Sequence, residues 1–106
     1  IEITKIAKED NERNGKKAGE PISNVKFEIY DEEKKLIETI QTDNEGKAYS
    51  SLLEKGVYFI KEIETDKDYL LTEELLEIEI TEEGELVSVI VENASKEIEK
   101  LPRTGF

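Results

Sequence analysis

The chain has 106 residues, with 15 Lys plus Arg against 27 Asp plus Glu, a formal charge of −12. It contains no Cys, His, Met or Trp, which removes thiol and imidazole nucleophiles, His/Cys metal centres and disulfides. An acidic surface argues against binding nucleic acid or anionic membranes through charge, and no run reaches the roughly 18 apolar residues that cross a bilayer. A chain of this length suits one domain, which buries roughly 60–70% of the surface its unfolded chain exposes. Opening at Ile1 without Met or a signal peptide, it reads as a segment of a longer protein.

Period-two alternation runs through the chain and predicts strands. Residues 1–5, 25–29, 36–40, 57–63, 76–80 and 86–93 carry it, and residues 47–51 add a short, weak strand. Turn chemistry lies between them: Asp31-Glu32-Glu33-Lys34, Asp43-Asn44-Glu45-Gly46, Lys55-Gly56 and Glu82-Glu83-Gly84-Glu85. The best helical stretch, residues 72–76, is short and flows into a strand. Residues 7–24, with Asn11, Asn14, Gly15, Gly19 and Pro21, read as a long exposed loop. The sum is an all-β fold, a seven-stranded antiparallel two-sheet sandwich over residues 1–93, followed by a mobile tail over 94–106.

The tail holds Leu101-Pro102-Arg103-Thr104-Gly105, which fits L-P-x-T-G. Four fixed letters recur by chance in roughly one chain in a thousand of this length, before position is considered. The motif resembles the sorting signal of Gram-positive surface proteins. In that family a sortase cuts between Thr and Gly, holds the Thr carbonyl as a thioester, and passes it to an amine of the wall precursor. The resemblance implies that Thr104 is the covalent attachment point to peptidoglycan and Gly105 the leaving amine. Pro102 supplies the kinked, extended peptide by fixing φ.

Three polar residues fall on apolar strand faces. Lys5 shares a face with Ile1 and Ile3, Asn93 with Val87, Val89 and Val91, and Glu62 with Tyr58 and Ile60. Val57, Phe59 and Ile63 make the opposite face of the Glu62 strand equally apolar. Strand-end residues that have turned to solvent account for Lys5 or Asn93 taken singly. Together the three suggest one buried site, because unpaired burial of each costs several kcal/mol.

In order along residues 1–93 stand Ile3-Thr4-Lys5, Val25-Lys26-Phe27-Glu28-Ile29-Tyr30, Thr42-Asp43-Asn44-Glu45-Gly46-Lys47-Ala48, Gly56-Val57-Tyr58-Phe59-Ile60-Lys61-Glu62, Asp68-Tyr69-Leu70-Leu71 and Val89-Ile90-Val91-Glu92-Asn93. This set resembles the collagen-adhesin B-type (Cna B-type) domains of Gram-positive surface proteins and pilins, which have a prealbumin-like sandwich. The turn before Tyr69 departs from the usual Pro-x-Gly-Tyr and reads Asp66-Lys67-Asp68-Tyr69. The resemblance implies a spontaneous isopeptide bond between Lys5 and Asn93, with Glu62 assisting. On this reading burial favours the neutral Lys5 amine, and Glu62, as a protonated acid, donates to the Asn93 carboxamide oxygen and then shuttles the proton that leaves with ammonia. Lys8 and Lys61 are alternative amines, and Glu64 shares the phase of Glu62.

The resemblance further implies a wall-proximal stalk domain on the extracellular surface of a Gram-positive cell, with sortase, peptidoglycan and neighbouring domains of the same protein as partners. It is a single-turnover substrate of its own chemistry, not an enzyme, and needs no cofactor. An adhesin module binding a host matrix ligand is the alternative; saturable matrix binding by the isolated domain would favour it. A basal or minor pilin subunit is a further alternative; a polymerising pilin subunit would need an exposed acceptor Lys in a pilin-type motif, and none stands out. The acidic loop at 43–46 lacks the alternating spacing of a calcium loop, so a solvated acidic face is the expectation and no metal is assigned.

Overall fold

A computed structural model describes residues 1–72 and 74–96. The sorting motif, Leu101 to Gly105, lies outside the described residues. Seven strands form among the described residues: β1 (Glu2–Ala7), β2 (Lys26–Tyr30), β3 (Leu36–Gln41), β4 (Lys47–Tyr49), β5 (Gly56–Glu64), β6 (Leu76–Ile80) and β7 (Ser88–Asn93). They build the expected two-sheet sandwich, one sheet ordered β4-β1-β7 and the other β3-β2-β5-β6. Each strand sits where alternation gives it one apolar face, and the inward residues Ile3, Val25, Phe27, Ile29, Ile60, Ile80 and Val91 meet in the core. The ambiguous strand β5 turns Tyr58, Ile60 and Glu62 inward and leaves Val57 and Phe59 half-buried outside.

One pairing departs from the antiparallel expectation. β1 and β7 run side by side in the same sense, from Glu2 opposite Ser88 to Ala7 opposite Asn93. A parallel pair needs a long crossover, and here nearly the whole chain intervenes. The ladder brings the first and last strands into contact and sets Lys5 opposite Val91, two residues before Asn93 on the same face.

The segment at 7–24 is not the open loop expected from its composition. Its return limb runs back along β1: Ala7 N–H donates to Glu20 O (2.9 Å), Gly19 N–H to Ala7 O (2.8 Å) and Ile22 N–H to Lys5 O (3.0 Å). Asn11 anchors the tip. Its Nδ2 donates to Asp68 O at 2.8 Å and its Oδ1 accepts from Arg13 N at 2.8 Å, so the side chain is buried although polar. Ile22 is buried as well. Among the described residues of the stretch at 72–76 there is no helix; Leu76 opens β6.

Hydrogen bonding also continues past Asn93, so residues 94–96 belong to the folded part and not to a tail. Leu70 N–H donates to Ala94 O (2.8 Å) and Lys96 N–H to Asp68 O (3.0 Å). The loop at 43–46 uses its acid locally: Asp43 Oδ1 accepts from Glu45 N (2.8 Å) and Lys47 N (3.1 Å), an Asx turn.

Candidate cross-linking site

Lys5, Glu62 and Asn93 converge between the sheets at relative exposures of 0%, 3% and 0%. Three elements do this. β1 and β7 are adjacent, so Lys5 and Asn93 lie diagonally on one inner face. β5 belongs to the opposite sheet and aims Glu62 across the gap.

A bulge tunes β5 at this point. Its register against β2 pairs Phe27 with Glu62 and Lys26 with Glu64, leaving Ile63 as the extra residue. Without it, Glu64 would follow Glu62 inward. With it, Glu64 is exposed and its Oε2 meets Lys26 Nζ at 3.1 Å on the surface. Lys8 and Lys61, the two further candidate amines, are exposed as well and stand outside the pocket.

Lys5 Nζ lies 2.6 Å from Glu62 Oε1, an oxygen with no other hydrogen-bond partner among the described residues. The amine also approaches Thr72 Oγ1 at 3.5 Å and sits 5.8 Å from the centroid of the Phe27 ring. An ammonium has three donors, and one close carboxylate oxygen serves them poorly. Burial therefore holds the Lys5 pKa below its ordinary value, and the hydrogen bond and charge of Glu62, with a smaller contribution from Glu92, oppose the shift without cancelling it. The neutral, nucleophilic amine is correspondingly more accessible than on a surface lysine.

Asn93 is fully engaged. Its Nδ2 donates to Glu62 Oε2 at 3.1 Å and to Thr65 Oγ1 at 2.8 Å, while its Oδ1 accepts from Thr72 Oγ1 at 2.5 Å. The same Glu62 Oε2 accepts the Thr72 backbone N–H at 2.7 Å. The contact expected between Glu62 and the Asn93 carboxamide oxygen is thus made by Thr72, and Glu62 faces the amide nitrogen instead. Thr65 and Thr72 are not marked by any pattern in the sequence. Neither lies in a strand, so no periodicity singles them out.

Glu62 consequently bridges an amine through one oxygen and a carboxamide nitrogen through the other. Such an arrangement can accept a proton from the first and return one to the second, inside a pocket that excludes water.

The family model of the SpaA prealbumin-like fold domain matches residues 2–95. The chain belongs to this family. It is 38% identical over 58 residues to the trypsin-resistant surface T6 protein of Streptococcus pyogenes serotype M6, a match covering 55% of the chain and 11% of that protein. Among solved structures it superposes on the Bacillus anthracis TIE protein with a TM-score of 0.70 at 30% identity, covering 89% of the chain and 16% of that one. It also superposes on GBS52, the minor pilin of Streptococcus agalactiae, with a TM-score of 0.70 at 21% identity, covering 95% and 46% of the two chains; at that identity the likeness is one of fold. The T6 backbone pilin gives a TM-score of 0.60 at 29% identity over 76% of the chain and 16% of the pilin. The SpaA-type domain thus spans about a tenth of the length of its curated relative and under half that of these structures.

Proposed function

We propose that this SpaA-type domain is a load-bearing unit of a Gram-positive surface protein, closed by an amide bond between Lys5 Nζ and Asn93 Cγ that forms with the help of Glu62. The observation that carries the reading is the dry meeting of an amine, a carboxyl and a carboxamide from β1, β5 and β7, with the Lys5 pKa pushed down by burial. A lysine, a glutamate and an asparagine sealed into a core are expensive unless paired, and the cost of removing any one is several kcal/mol. Here the arrangement is also reactive.

The bond would close a loop of about 88 residues, which on a chain-entropy model restricts the unfolded state by about 4.6 kcal/mol. It would do the work of a disulfide in a chain that has no cysteine. Joined to this reading is the motif Leu101-Pro102-Arg103-Thr104-Gly105, which a sortase would cut after Thr104 to attach the protein to peptidoglycan. The domain would then stand at the outer surface of the wall, carrying whatever lies on its N-terminal side.

The test is intact-mass spectrometry of the folded domain. The expected wild-type mass is lower than the sequence mass by one ammonia, whereas Lys5→Ala, Glu62→Ala and Asn93→Ala keep the full mass. A wild-type chain at full mass rejects the cross-link, and a Glu62→Ala chain that still loses ammonia rejects the part given to Glu62. A second reading, a pilin subunit, is favoured by the likeness to the T6 backbone pilin. It predicts a covalent ladder of the full-length protein in wall extracts, where the stalk reading predicts single wall-linked chains.

A further inference from the structure

We propose that the Thr72 hydroxyl is the oxyanion donor of the amide-forming reaction, a role that rests on the Lys5–Asn93 cross-link proposed above. Its Oγ1 stands 2.5 Å from Asn93 Oδ1, the atom on which negative charge grows when an amine adds to Cγ. Among the described residues the other acceptor within reach, Glu92 O, is at 3.4 Å, so the single hydroxyl proton belongs to the carboxamide. Lys5 Nζ, at 3.5 Å, is a donor toward the same oxygen and leaves that proton free to point at Asn93.

Two further contacts fix the hydroxyl. The Thr72 backbone N–H donates to Glu62 Oε2 at 2.7 Å, so the residue that polarises the carbonyl is tied to the acid that moves the protons. Thr65 Oγ1 takes the second Asn93 Nδ2 proton at 2.8 Å, which orients the carboxamide with its oxygen toward Thr72 and its nitrogen toward Glu62. The site therefore divides the labour between two groups: Thr72 serves the oxygen, and Glu62 serves both nitrogens.

The reaction balances on these atoms. Lys5 first passes one ammonium proton to Glu62 Oε1, giving a neutral amine beside a carboxylic acid. The Nζ lone pair adds to Asn93 Cγ, and the carbonyl electron pair moves to Oδ1, where the Thr72 hydroxyl donates a hydrogen bond and keeps its proton. A half-turn of the Glu62 carboxyl about its Cγ–Cδ bond carries the acid proton to the Asn93 side, where it passes to Nδ2, and the bare oxygen then facing Nζ takes one proton from that cationic nitrogen. The Cγ–Nδ2 bond then breaks, the carbonyl reforms, and ammonia leaves. One C–N bond forms, one breaks, and Glu62 ends as the acid it was before addition. A preorganised donor aimed at a developing oxyanion acts where water cannot compete, and deleting one slows comparable reactions by about 10²–10³-fold.

The experiment is a pulse of cell-free synthesis of wild-type, Thr72→Val and Thr72→Ser chains, sampled over time for the loss of one ammonia, with folding followed by tyrosine near-ultraviolet circular dichroism. Valine keeps the shape and removes the hydroxyl; serine keeps the hydroxyl. The expected result is cross-linking slowed by about 10²–10³-fold in Thr72→Val and by less than about tenfold in Thr72→Ser. If the valine chain does not fold, Thr72→Ala replaces it as the chain lacking a hydroxyl. A folded chain without the hydroxyl that reacts at the wild-type rate overturns the role, as does a folded serine chain as slow as the valine one, which would assign the effect to packing. A wild-type chain that never loses ammonia overturns the cross-link itself, an outcome visible without any variant.

Discussion

At the scale of single residues, the buried Lys5 makes the chemistry sensitive to pH. Burial lowers its pKa in the folded chain, so between that lowered value and about 10.4 the unfolded chain holds more protons than the folded one. Stability must rise with pH across that window, and the penalty of burying the charge is largest below it. The check is a chain that cannot cross-link: with Asn93→Ala in both, the urea midpoint of the Lys5 chain should gain on that of the Lys5→Met chain as pH rises from neutral toward 10. Over the same interval the wild-type cross-linking rate should fall, because the proton that Lys5 hands to Glu62 is lost from the pair as pH rises through the lowered Lys5 pKa. Lys5, Glu62 and Asn93 could all be singled out in the sequence, because a polar residue in phase with Ile3, Ile60 or Val91 breaks an apolar face. Thr72 could not. It follows Tyr69-Leu70-Leu71 in an irregular stretch and is brought to Asn93 by tertiary packing alone.

At the scale of elements, the positioning of Lys5 depends on a turn. Lys5 N–H donates to Gly46 O at 2.7 Å, so the β3–β4 connection presses directly on β1 at Lys5. Gly46 has φ +73°, and a Cβ there would stand 2.6 Å from Lys5 O and 2.8 Å from Pro21 Cβ. Both the conformation and the space require glycine. Gly46→Ala is expected to cost roughly 2–3 kcal/mol, read from urea unfolding in the Asn93→Ala background so that no cross-link hides the loss. It should also slow ammonia loss in the otherwise wild-type chain. The strands themselves were legible, since each carries its own alternation and its own flanking turn residues. The segment at 7–24 was not. Few apolar residues mark it, and what folds it back is backbone pairing with β1 together with one asparagine whose partner, Asp68 O, lies 57 residues away. The bulge at Ile63 was likewise invisible, because register against β2 is a property of two strands and not of one.

At the scale of the whole molecule, the parallel β1–β7 pair sets how force would travel. β1 begins beside the start of β7 and ends beside its end, so residues 1 and 96 lie toward opposite ends of that ladder. Load applied between them shears the two strands lengthwise. In single-molecule pulling from residues 1 and 96, a Lys5→Ala chain is expected to unfold with the release of about 300 Å of backbone, at roughly 3.3–3.6 Å per residue. A cross-linked wild-type chain should release almost nothing, because only the few residues outside positions 5 and 93 are free to extend. Full extension of the wild type at the same force would show that tension does not pass through the bond.

The same closure would make the chain between positions 5 and 93 a ring. A protease that severs one exposed turn, such as Glu82-Glu83-Gly84-Glu85, would open the ring without parting the molecule, and both halves would migrate together even in denaturant. Even a second cut in the same ring would free only the piece between the cuts, because the covalent path from residue 1 through the Lys5–Asn93 bond to residue 93 would stay whole.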